Sequence, residues 1–317
     1  MKKRLSILTL CAFCTSTLAT TQQPVTVGIV IPVSVPAMKQ IVSGFETTLN
    51  KKSTVPVKYL VKNAQGNITI QRSILQELNS PDVSLIAPIG TDVAQMTIAM
   101  IRNKPIVGIA ADHPKEEAKK ANNPNVTGVL SDTPPADRIH FIHQAMPNLK
   151  TLTLIYSTDD RIFSQVKQIE KAAKQNHITV QTLMVSQLSD LYTISKNIAP
   201  NSQAIFILKD ELIVSGLNTL LQQARAKHIP VIASDDGSVA KGAAFALGVS
   251  EYQTGVEAAK ISAQILAGKK AGDIPVHVMK NYFVFLNPTV TASQGVSNTG
   301  IKNAAKQLGY TVKNVLV

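Results

Sequence analysis

Residues 231–255 read VIASDDGSVAKGAAFALGVSEYQTG, and this stretch decides the fold. The apolar run Val231 to Ala233 ends in Ser234-Asp235-Asp236, so a buried strand delivers a hydroxyl and two carboxylates at its carboxyl end. Ligands bind at that edge in open α/β sheets. Gly242 starts a second apolar run, Ala243 to Val249, and Glu251 to Gly255 leads into an amphipathic segment that ends near Gly268. Two strands and a helix therefore surround one acidic loop.

Upstream, β-branched runs alternate with amphipathic ones. Val25 to Ile31, Val55 to Val61, Val83 to Ile89 and Pro105 to Ile109 read as strands, separated by helices over Pro36 to Asn50, Ile68 to Leu78 and Thr91 to Ile101. The charged segment 113–124 carries no clear pattern, Val126 to Leu130 is a short strand and Pro134 to Met146 a helix. From Lys150 the plan restarts with strands Thr151 to Tyr156, Ile178 to Val185 and Ala204 to Leu208, between helices Arg161 to Gln175, Leu188 to Ile198 and Leu212 to Lys227. After the helix Tyr252 to Leu266 come short strands at Val276 to Val278 and Tyr282 to Leu286, then a Ser/Thr/Gly-rich stretch, Thr289 to Gly300, and a last helix, Ile301 to Leu308. Strict βαβα alternation predicts an α/β protein with parallel sheets covered by helices on both faces. At 317 residues the chain is long enough for two such doubly wound lobes.

Lys2-Lys3-Arg4, the apolar run Leu5 to Phe13 and Thr17-Leu18-Ala19 read as a secretory signal peptide over residues 1–19. Both cysteines, Cys11 and Cys14, fall inside it and follow Leu10 and Phe13, which disfavours lipid attachment and leaves the mature chain without thiols. The formal charge of +12 is spread over helix-like segments with few aromatics between the lysines, a pattern of solvated faces rather than of a nucleic-acid surface.

Signatures of common hydrolases, zinc proteases and nucleotide-binding loops are absent from the sequence. Asp137, His140 and His143 have a spacing that turns away from one helix face, which argues against a zinc site. Adjacent carboxylates at Asp159-Asp160 and Asp235-Asp236 precede helices, where Asp serves as a cap, so an enzyme such as a hydrolase is the weaker reading. What remains is a set of polar loops after strands, each at the same edge of its sheet: Ser34, Gly90-Thr91, Ala111-Asp112, Ser157-Thr158-Asp159, Lys209-Asp210-Glu211 and Ser234-Asp235-Asp236, with Tyr156 beside them. Two sheets facing across a hinge bring these edges to one cleft.

The Ala-Ser-Asp of 233–235 with the following Gly-Ala…Ala-Leu-Gly-Val…Tyr…Gly, Thr91 with Gln95, Asn63-Ala64-Gln65-Gly66, the Asn125 to Asp132 segment and Ile229-Pro230-Val231 together resemble the substrate-binding proteins of ABC transporters. The resemblance is to the type I periplasmic-binding family that includes tryptophan/tyrosine-binding proteins, and it runs from Val25 to about Leu308. It implies a periplasmic or secreted receptor with a lobe of residues 24–130 plus about 250–280, a second of 131–249 plus about 281–317, hinge closure, and delivery to a permease. Departures at Ile31 to Ala37, Leu208 to Glu211 and Asp112 to Pro114 bear on the ligand, and Thr289 to Gly300 looks like an added segment. The expected ligand is a small zwitterion, an amino acid with aromatic ones included: the Gly90-Thr91 corner holds its carboxylate and Asp235, backed by Asp210, its ammonium. The expected protein is monomeric, non-catalytic and free of cofactor. A sensor or interaction subunit without transport is the alternative.

Overall fold

The computed structural model describes residues 23–315, so the signal-peptide reading and both cysteines lie outside the described residues. The first half runs β1 (Val25–Ile31), α1 (Pro36–Lys52), β2 (Val57–Asn63), α2 (Ile68–Leu78), β3 (Val83–Pro88), α3 (Thr91–Met100), β4 (Ile106–Ile109), α4 (Pro114–Lys120) and β5 (Val126–Leu130). The second runs α5 (Pro135–Ala145), β6 (Thr151–Ser157), α6 (Asp160–Gln175), β7 (Thr179–Val185), α7 (Leu191–Lys196), β8 (Ala204–Ile207), α8 (Glu211–Ser215), α9 (Leu217–Ala226), β9 (Val231–Ala233), α10 (Asp236–Ala240) and β10 (Phe245–Gly248). Last come α11 (Glu251–Leu266), β11 (His277–Val278), β12 (Phe283–Leu286), α12 (Pro288–Ser293), α13 (Asn298–Gln307) and β13 (Thr311–Asn314).

The strands form two sheets, ordered β11-β5-β4-β3-β1-β2 and β13-β12-β10-β9-β8-β6-β7. Pairing is parallel throughout except between β10 and β12. Each sheet is apolar on both faces: Val27 and Ile29 of β1 belong to one cluster and Val30 to another, and in β6 Leu154 and Ile155 divide in the same way. Period-2 alternation thus buries successive residues against helices on opposite sides.

Local chemistry starts the helices. Asn67 Oδ1 accepts from Thr69 N at 2.8 Å and Ile70 N at 3.1 Å, and Asp159 Oδ1 accepts from Arg161 N at 2.8 Å. Both are N-caps that satisfy otherwise orphaned donors. The Ser/Thr/Gly-rich stretch from Thr289 packs onto the second sheet. Asn287 and Ser297 cap α12 and α13 there, and Val296 and Ile301 join the core of the second sheet. The single helix expected over Leu212 to Lys227 divides at Gly216, where Leu188 and Leu191 press on the backbone. The short elements α10 and β13 carry too little pattern to stand out in sequence.

The chain passes between the sheets after β5, after β10 and between β11 and β12. The second passage is fixed by α11 lying directly on α1. A Cβ on Gly255 would collide with Ile41 O, and one on Gly44 with Tyr252 O, so each helix offers a glycine to the other's backbone. Alanine at Gly255 gains up to about 1 kcal/mol of helix propensity, but backbone on both sides leaves nothing soft to yield. We expect Gly255→Ala to destabilise the protein by about 1–3 kcal/mol, the range for overpacking, as a lowered denaturant midpoint. An unchanged midpoint would mean that the two helices separate freely.

Candidate functional site

In each sheet the strand order reverses once, between β1 and β3 in the first and between β6 and β8 in the second. The loops after those four strands are where a doubly wound sheet opens a crevice. They supply Val35, Gly90, Arg161 and Lys209 to Glu211, and all of these line one cavity between the sheets, of about 80 Å3. One water needs about 10–15 Å3 of such space, so the closed cleft holds a molecule of only a few heavy atoms without opening. Its apolar wall is Val35, Ala37, Met38, Ile41, Ala110 and Val214; no aromatic side chain lines it among the described residues. The cavity shares Thr91, Arg161, Asp210 and Glu211 with a wider groove at its mouth.

Of the residues singled out in the sequence, Gly90, Thr91, Asp112, Asp210 and Asp235 meet at this cavity. Gly90 precedes α3 with φ 90°, a left-handed conformation that suits glycine. Thr91 is already engaged, donating from Oγ1 to Asp112 Oδ2 at 3.2 Å and accepting from Asp112 N at 3.1 Å. Asp210 accepts from Ser157 N at 2.6 Å and caps α8 through Leu212 N at 3.1 Å, tying the loops after β6 and β8 together. Asp235 is 2% exposed, and Ser238 donates to it twice at 2.7 Å, from N to Oδ1 and from Oγ to Oδ2. It caps α10 and is held rigid at the cavity wall.

Ser157 lies at the mouth groove. Ser34 and Tyr156 do not reach the cavity. Ser34 is exposed and faces a separate groove beside Lys39 and Val61, while its neighbour Val35 turns inward. Tyr156 points to the face of β6 opposite Ile155 and is buried in the core of the second sheet.

Lys209 and Glu211 stand in the polar loops read from the sequence, but Glu251 and the contacts that cross the cleft were not foreseen. Lys209 Nζ stands 2.5 Å from Glu251 Oε1, an ion pair off the direction of a hydrogen bond, and donates to Ser131 O at 3.3 Å. It links the loop after β8 to the first turn of α11 and to the passage after β5. Asp132, on that passage, pairs with the buried Arg138 at 3.0 Å. Glu211 Oε1 lies 3.5 Å from where a Cβ on Gly90 would stand, so this carboxylate also reaches the other lobe. The signal available was the Lys-Asp-Glu run after a strand and Glu251 inside the opening stretch; the partners across the cleft were not visible.

Burial pushes the Glu211 carboxyl up to about 7; Arg161 opposes the shift, and Asp92, Asp159 and Asp210 add to it. Burial likewise pushes Asp236 up to about 7, helped by Glu251 and Asp235 and opposed by Lys209. Glu251 is raised by burial, with Lys209 pulling it back. A carboxyl whose folded pKa exceeds its unfolded one stabilises the fold below the unfolded value, and that contribution is lost as pH rises through the folded one. For Glu211 the window runs from 4.5 to about 7. The melting temperature should therefore fall across that window, from about pH 4.5 to about pH 7, and Glu211→Gln should flatten that fall. An identical slope in the variant would show that Glu211 titrates as an exposed carboxylate.

Two lobes with facing switch-point loops and a polar cavity between them define a bilobal ligand-binding protein. The model of the family described as ABC transporter substrate binding protein matches residues 26–309. An uncharacterised protein of Rickettsia prowazekii (strain Madrid E) is 40% identical over 264 residues, 83% of each chain. A tyrosine-binding protein of Clostridioides difficile (strain R20291) is 28% identical over 270 residues, 82% of this chain and 78% of the relative. Among solved structures, an ABC domain from Streptococcus pneumoniae in complex with L-Trp superposes with a TM-score of 0.80 at 23% identity, covering 92% of this chain and all of that one. The chain belongs to the ABC transporter substrate-binding protein family and has the type I periplasmic-binding fold.

Proposed function

We propose that the protein is a periplasmic or secreted, monomeric receptor that captures an amino acid between its lobes and hands it to the permease of an ABC transporter. Residues 24–130 plus about 250–280 move as one lobe and 131–249 plus about 281–317 as the other, and residues 1–19 are removed on export. Catalysis, nucleic acid and a cofactor have no part in it. The carrying observation is the cavity itself: closed, charged, and built from switch-point loops of both lobes. The relative named for tyrosine and the structure holding L-Trp support an amino acid as ligand class.

Asp235 receives the ligand's ammonium in this reading. Ser238 fixes both carboxylate oxygens, and each keeps one acceptor position for a ligand. The ligand carboxylate goes to the first turn of α3, whose backbone donors point out of the helix beside Gly90.

The test begins with mature protein unfolded to strip any carried ligand, refolded, and screened against amino acids and nucleosides by thermal shift. A ligand at a hundredfold over its Kd adds about 2.7 kcal/mol of stability. For the amino acid so found, Asp235→Asn should weaken binding by about 2–5 kcal/mol in calorimetry. It should leave folding intact, because asparagine can still accept from Ser238 N. Equal affinities would remove Asp235 from the site, and a nucleoside hit without any amino acid would overturn the ligand class.

A further inference from the structure

The charges around the cavity fall into two groups. At one end Asp235, Asp236 and Glu251 are all buried; Lys209 pairs with Glu251, and Arg138, itself paired with Asp132, is the other cation that acts on Glu251. Asp236 Oδ1 has no hydrogen-bond partner among the described residues, and Glu251, 2% exposed and lining the cavity, has only the off-line Lys209 ammonium at Oε1. At the other end Glu211 faces Gly90 among Asp92, Asp159 and Asp210, with Arg161 as the cation, and its carboxylate makes no hydrogen bond among the described residues. The groups that act on Glu211 are Arg161, Asp92, Asp159 and Asp210; those that act on Asp236 are Glu251, Asp235 and Lys209.

Each end therefore holds more carboxylates than cations, and each keeps an acceptor that no protein donor fills. Between them the wall is aliphatic, formed by Val35, Met38, Ile41, Ala110 and Val214. Resting on the reading of this cleft as an amino-acid site, we infer that the ligand is a basic amino acid, with one cationic group at the Asp235–Glu251 end, the other at Glu211, and its methylene stem along the aliphatic wall. A neutral zwitterion leaves one acidic end without a counter-charge, and an aromatic side chain finds no ring to stack on. The first turn of α3 and Arg161 remain for the ligand carboxylate.

The experiment is calorimetry on the stripped, refolded protein with L-lysine, L-ornithine, L-leucine, L-tyrosine and the diamine putrescine. Lysine or ornithine should bind at least tenfold more tightly than leucine or tyrosine. Glu211→Gln should weaken that binding at least tenfold while leaving its melting temperature at about pH 5 unchanged, where the native carboxyl is already protonated. Leucine or tyrosine binding as tightly as lysine overturns this inference and leaves the amino-acid receptor standing. Putrescine binding with no amino acid bound does the reverse, overturning the amino-acid reading and keeping the two-cation site. No binding by any of the five overturns the inference.

Discussion

Everything at the site depends on α11 being able to lie on α1. The chain leaves the second sheet after β10 and must return to the first, and the paired glycines Gly44 and Gly255 let the two helix backbones meet without side chains between them. That approach places the amino end of α11, with Ser250 capping it and Glu251 in its first turn, against the passage after β5. Buried Ile41, Phe45, Ala258 and Ile265 then join one apolar cluster with β1, β3 and β4. A residue distant in sequence is thereby delivered to the cavity wall.

The cavity's chemistry follows from where the carboxylates are held. Asp159, Asp210 and Asp235 cap helices, a use that costs nothing in specificity and fixes each loop. Asp236 and Glu251 are buried and Glu211 half-buried, acidic groups outnumber basic ones around Glu211 and Asp236, and desolvation drives all three toward the neutral form. A buried carboxylate that lacks its counter-ion is destabilising. A ligand cation that supplies the missing charge therefore gains more from this cleft than from water, and closure and binding become one process.

Much of the fold was legible because both sheets are buried on two faces. Ile68 to Leu78, Val126 to Leu130 and Val231 to Ala233 carry unbroken periodic or β-branched signals, and they form the elements their residues announce. The short α10 and β13 were hidden because four or five residues hold no period, whereas β12 was read as a strand over Tyr282 to Leu286 without its antiparallel direction. At the site, residues following strands were found, since the sheet edge follows from connectivity alone. Side-chain direction was harder: Ser34 misses the cavity by one position, its neighbour Val35 turning inward, and Tyr156 faces the core while its neighbour Ser157 reaches the mouth groove, the step that reverses a side chain in extended backbone. Lys209 and Glu251 were visible as charges but not as partners, because their contact exists only when the lobes face each other.

The central claim is that a ligand is enclosed between lobes that move. Small-angle scattering on the stripped, refolded protein tests it directly, with and without a ligand at saturation. The account predicts that the radius of gyration falls when ligand is added, as the cleft bridged by Lys209 and Glu211 closes. An unchanged profile at saturation would contradict it and describe a rigid receptor whose lobes are already fixed.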